Sequence, residues 1–112
     1  MSKGYSLDSV KELSGGDNEF IVVLVQTFLE EIPPDLNNMV LAVNNDNPEE
    51  AYQYAHKMKP NLQLFDIDLL NEIKEIESWS RSGKGKEEVL PVLSHIVTTV
   101  NKAIDSLKVD FQ

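Results

Sequence analysis

Between residues 86 and 108, Val89, Leu90, Leu93, Ile96, Val97, Val100, Ile104 and Leu107 recur in the three- and four-residue steps of a single helix face. A stripe that long cannot be left in water, and it has to be covered by other secondary structure. No segment elsewhere carries the apolar–polar alternation of a strand, so the cover is predicted to be helical. The stripe thus points to an all-α fold before any other residue is considered.

The remaining segments divide in the same way. Tyr5-Ser6-Leu7-Asp8-Ser9-Val10 predicts a short helix start, with Ser6 as cap and Tyr5 stapled onto Val10, ending at Ser14-Gly15-Gly16. Asp17 caps a second segment running from near Asn18 to about Asn45, with Phe20, Leu24, Thr27, Phe28 and Glu31 on one side. Pro33-Pro34 interrupts it, because proline lacks an amide donor and crowds the preceding turn. Beyond the prolines the apolar set is Leu36, Met39, Val40 and Val43, rotated by roughly a third of a turn, which predicts a kinked helix or two abutting ones. Asn47 caps a third segment, with Pro48 at its first helical position, extending to about Phe65 with a local kink at Pro60. Asp66 or Asp68 is expected to cap a fourth, which carries Leu69, Leu70, Ile73, Ile76 and Trp79 and ends at Gly83. The last runs from about Lys86 to Lys108. Together these predict one domain, residues 1–112, built as an antiparallel four-helix bundle with a short N-terminal helix.

Within the third helix, Ala51, Ala55, Met58, Leu62 and Phe65 fall in a stripe roughly 80° wide at about 100° per residue. His56 lies about 140° from its centre and is expected to face water, with Glu49, Tyr52, Lys59, Pro60 and Gln63 around it. Lys59 stands at i+3, within reach of the imidazole. The charge pattern points to the same place. The chain holds ten Lys+Arg against nineteen Asp+Glu, a formal net charge of −9, and no cation stands between Glu12 and His56. Lys57 and Lys59 then flank the histidine, an arrangement suited to an anion. The alternative, lysines solvating an acidic helix, carries no such concentration at one residue.

Other chemistries fit poorly. The acidic balance argues against nucleic-acid or anionic-membrane partners. With no cysteine there is neither a disulfide framework nor a thiolate metal site. Glu-x-x-His, the carboxylate-bundle metal motif, is absent: Gln53 and Val92 precede the two histidines by three. Gly83-Lys84-Gly85-Lys86 lacks the spacing and hydroxyl residue of a phosphate loop. His95 lies opposite the apolar stripe of the last helix with no lysine beside it, and reads as an ordinary surface histidine. The N-terminal residues lack the apolar run of a leader, and Phe20–Val25 is too short to span a bilayer, so a cytoplasmic location is expected.

Ala55-His56-Lys57-Met58-Lys59, late in the second long helix of an acidic helical chain, resembles the histidine-containing phosphotransfer (HPt) domain. The likeness covers most of the chain. Ser14-Gly15-Gly16-Asp17 and Phe28-Leu29-Glu30-Glu31 look like the family's first long helix, Asn45-Asp46-Asn47-Pro48-Glu49 like its usual turn, and the Gly83 loop like its last hairpin. Pro60 departs from the pattern, standing where the family usually has glycine; it also leaves the His56 carbonyl without its helical donor. The resemblance implies a relay in which His56 accepts a phosphoryl group at Nε2 from a receiver-domain aspartate and passes it to another response regulator. Lys59, and more weakly Lys57, would offset the phosphoryl charge, and Tyr52, Gln53, Pro60 and Gln63 would meet the partner. Its implied partners are response-regulator receiver domains and a hybrid sensor histidine kinase. The chain itself is expected to be a monomer needing no cofactor, with Mg²⁺ and most catalytic groups belonging to the receiver. A non-phosphorylated helical adaptor for receivers is the competing reading. An autonomous kinase would need an ATP-binding domain for which 112 residues leave no room.

Overall fold

The computed structural model describes residues 3–112; Met1 and Ser2, where the stretch read for a leader begins, lie outside them. The described residues form an all-helical structure: α1 (Asp8–Ser14), α2 (Asn18–Asn44), α3 (Pro48–Leu64), α4 (Leu70–Ser82) and α5 (Leu90–Phe111), with a single 3₁₀ turn, Lys86–Glu88, before α5.

Two of the expected caps form. The Asp17 carboxylate accepts from the backbone N–H groups of Glu19 and Phe20 at 3.0 and 3.4 Å, and the Asn47 side chain accepts from Glu50 at 3.2 Å. Pro48 follows Asn47 at a position where a missing amide costs nothing. Gly83 ends α4 with φ of 70°, a left-handed cap that glycine adopts without a Cβ clash.

Other starts differ from expectation. α1 begins at Asp8 behind Leu7; the Ser6 hydroxyl accepts from the Asp8 backbone N–H at 3.2 Å, as expected of a cap, and the Asp66 carboxylate reaches across to Ser9, at 2.8 Å from its hydroxyl. Asp66 is therefore not the cap of α4. It sits at φ 55° in the preceding turn, and α4 starts behind Leu69 without a side-chain cap. The last helix begins at Leu90, later than Lys86, because Lys86–Glu88 wind as a 3₁₀ turn, and it continues to Phe111. Leu70 and Leu90, each counted into an apolar stripe, are 37% exposed.

The largest correction concerns α2. Its buried face is Ile21, Val25, Phe28, Ile32, Leu36, Met39 and Val43, one unbroken run of three- and four-residue steps. Of the expected first-half face only Phe28 is fully buried, and Phe20 is 41% exposed. Residues 20–25 are apolar on every side, so periodicity there has no phase to read. With the correct phase no rotation occurs at Pro33-Pro34, and the helix runs through both prolines as one element. α3 likewise runs through Pro60, with Ala51, Ala55, Met58, Leu62 and Phe65 all buried as expected.

α3 lies against α2 and α4, α5 lies against the same two, and α1 packs on α2. All five helices feed one apolar cluster, in which Phe28 and Phe65 meet with ring centroids 4.7 Å apart. Among the described residues no helix is long and apolar enough to cross a membrane.

Candidate functional site

His56 leaves the middle of α3 on the side away from the core, because Ala55 and Met58, its neighbours in the 3.6-residue repeat, are fully buried. Its side chain is 63% exposed. Tyr52, one turn earlier, stacks on the imidazole with the two planes 8° apart and their centroids 5.7 Å apart. The ring is thus open to solvent but held against a flat neighbour.

A residue the sequence reading passed over supplies the rest. Glu77 on α4 has a side chain only 9% exposed, and its two carboxylate oxygens are both used. Oε2 lies 3.0 Å from Nδ1 of His56, and Oε1 accepts from the Lys59 ammonium at 2.8 Å. Burial by itself would raise the Glu77 pKa; the hydrogen bonds and positive charges of Lys59 and His56 outweigh it and hold the carboxyl below its ordinary value of 4.5. An ionised carboxylate can only accept. The hydrogen on this bond therefore belongs to Nδ1, and in the neutral ring Nε2 carries the lone pair. Among the described residues Nε2 has no protein partner. The geometry presents one nucleophilic nitrogen to solvent and orients it from behind, as a carboxylate orients a histidine in other nucleophilic sites.

The two flanking lysines divide. Lys59 is drawn in to 23% exposure beside Glu77 and belongs to the histidine's surroundings. Lys57 turns to the opposite side and donates to Asp35 of α2 at 3.1 Å. That bond, with the Asp35 charge, raises the Lys57 pKa. Lys57 thus ties α3 to α2, and its ammonium is paired away from the imidazole. Of the other anticipated contact residues, Pro60 and Gln63 are exposed on α3 beyond the histidine. Gln53 lines a shallow groove between α3 and α4 with Glu49, Tyr52, Ser80 and Arg81.

Glu77 had a sequence signature. It follows Ile73 by four residues and borders the stripe of Ile73, Ile76 and Trp79, so a carboxylate is set at the edge of a buried face. Pairing it with His56, however, takes the packing of α3 against α4. His95 has a looser neighbour: its Nε2 stands 3.7 Å from Glu72, and both side chains are more exposed than Glu77. Compared with family models, curated proteins and solved structures, the chain matches none.

Proposed function

We propose that this chain is a phosphohistidine carrier of the HPt type, an antiparallel four-helix bundle preceded by a short helix, which takes a phosphoryl group on Nε2 of His56 and hands it on. The observation that carries the reading is the exposed imidazole with its Nδ1 hydrogen bonded to a buried, ionised Glu77. The bundle reading is supported by two facts. α2 through α5 each touch two neighbours in a closed ring, and the paired residues run in opposite directions: Phe28 with Phe65 and Asp35 with Lys57 across α2 and α3.

The lone pair of Nε2 attacks the phosphorus of a receiver-domain aspartyl phosphate. The N–P bond forms as the P–O bond to the aspartyl oxygen breaks, and the carboxylate leaves with the bonding electrons. The Nδ1 hydrogen stays in place, so the ring becomes a cation facing Glu77, whose negative charge stabilises it. Lys59, one turn along α3 and sharing Glu77 with the imidazole, would offset phosphoryl charge. Transfer to a second receiver is the same step reversed. Phosphoryl transfer asks mainly for positioning and charge stabilisation, and this chain contributes an aligned nucleophile; Mg²⁺ and the other charged groups would come with the receiver. The protein would act as a monomer in the cytoplasm, with receivers and a hybrid histidine kinase as partners.

The test is phosphoryl transfer from a panel of phosphorylated receiver domains to wild type and His56→Gln. Acid-labile, alkali-stable labelling of wild type alone is the expected result. Labelling retained in His56→Gln would remove His56 from the role. Binding without labelling of wild type would replace the carrier by a helical adaptor.

A further inference from the structure

The lysines expected to greet an anionic partner are already committed, Lys57 to Asp35 and Lys59 to Glu77. Arg81, the only arginine in the chain, stands on α4 in the groove that Tyr52 shares. Among the described residues it has no hydrogen-bond or ion-pair partner. It follows Glu77 by one helical turn on α4, so it lies on the same side of that helix. With Tyr52, Gln53, Ser80 and Glu49 it lines an open groove of ≈ 580 Å³ between α3 and α4. Tyr52 belongs to both places: one face of its ring stacks on His56, and its side chain forms a wall of the groove.

We propose that this groove is the docking point for a carboxylate side chain of the protein that brings the phosphoryl group, with Arg81 as its anchor; the inference rests on the carrier reading above. The guanidinium fork matches a carboxylate with two parallel hydrogen bonds, which an ammonium does not. In a chain of net charge −9 a free arginine beside the site offers an acidic partner attraction where its surroundings repel. Glu49 on the same rim narrows the choice. It repels a phosphate dianion or a polyanion far more than a single carboxylate, so nucleic acid and lipid headgroups fit the groove poorly. Ser80 donates its hydroxyl hydrogen to the Glu77 carbonyl at 2.9 Å, leaving its oxygen as an acceptor for a backbone N–H of the same partner segment.

The experiment uses the full chain and the receiver domain that labels or binds wild type best, and compares Arg81→Ala, Arg81→Lys and Arg81→Glu. Lys108→Glu, an exposed change on α5, serves as a control of equal charge. Saturation kinetics are read with the phosphorylated receiver, and equilibrium binding with the unphosphorylated one. Arg81→Ala is expected to raise both KM and Kd about tenfold with the maximal rate within about twofold of wild type. Arg81→Glu should raise them further, and Arg81→Lys should recover only part of the loss. Lys108→Glu should leave both where they were. Unchanged KM and Kd in Arg81→Glu, or an equal rise in Lys108→Glu, would overturn the proposal. Because binding is read without chemistry, failure of phosphorylation at His56 would overturn the carrier reading while the groove is still judged by Kd. Absence of binding by any receiver would overturn both.

Discussion

At the scale of the residue, His56 is defined by what holds its rear nitrogen. Glu77 sits under the ring and serves two donors at once, so its loss affects both the proton on Nδ1 and the position of Lys59. Glu77→Gln keeps the shape but replaces the ionised acceptor by a neutral amide, and is expected to slow phosphoryl acceptance by about tenfold without unfolding the protein. Glu77→Ala should let the neutral ring shift its hydrogen toward Nε2. Long-range ¹H–¹⁵N spectra of the imidazole check this directly: the Nδ1–H form is expected to dominate in wild type and to lose ground in the variant. An unchanged tautomer would mean that Glu77 merely fills space. The histidine, its exposure and the nearby lysine were legible from the helical repeat of α3. The carboxylate was not, because its partner lies 21 positions away and only the contact between α3 and α4 brings them together.

Between elements, the Lys57–Asp35 pair joins α3 to α2 just past Pro33-Pro34. Its two ends are unlike: the Asp35 side chain is 6% exposed, whereas that of Lys57 is 62% exposed. Removing the lysine strands a buried carboxylate, whereas removing the carboxylate releases an ammonium to water. Lys57→Ala is therefore expected to lower the thermal midpoint by several degrees and to leave transfer at His56 intact. Asp35→Leu should be within about 1 kcal/mol of wild type or more stable, since an apolar residue suits the face of Ile32 and Met39. Thermal unfolding of both variants, followed by circular dichroism, tests this asymmetry. Asp35 is three residues after Ile32 and four before Met39, squarely on the buried face of α2. It was passed over because a carboxylate on a buried face is not expected until a partner is seen, and Lys57 reaches it only through the packing of α3 on α2.

Across the whole molecule, the N-terminal segment is fastened to the far end of the chain. Lys3 donates to Asp110 at 2.9 Å, and the Tyr5 hydroxyl donates to the same carboxylate. Burial first, and then that bond and the Asp110 charge, push the Tyr5 pKa from 10.0 up to about 12. A folded-state pKa above the unfolded value means that this contribution is complete below pH 10 and is lost as the pH rises through the folded value. An alkaline titration followed by phenolate absorbance should find one of the three tyrosines ionising near pH 12, and Asp110→Asn should bring it only part of the way back, because burial is the larger cause. Ionisation of Tyr5 at its ordinary value of 10.0 would show the fastening absent in solution. None of this was foreseen from residues 105 positions apart. The sequence by itself determined that the chain is helical, where most helices end, and that His56 faces outward, since these follow from the 3.6-residue repeat, local caps and prolines. Only the tertiary structure decided which face of α2 is inside, that Lys57 pairs with Asp35, and that Glu77 lies beneath the histidine. Those choices depend on which helices become neighbours, and short-range periodicity carries no information about that.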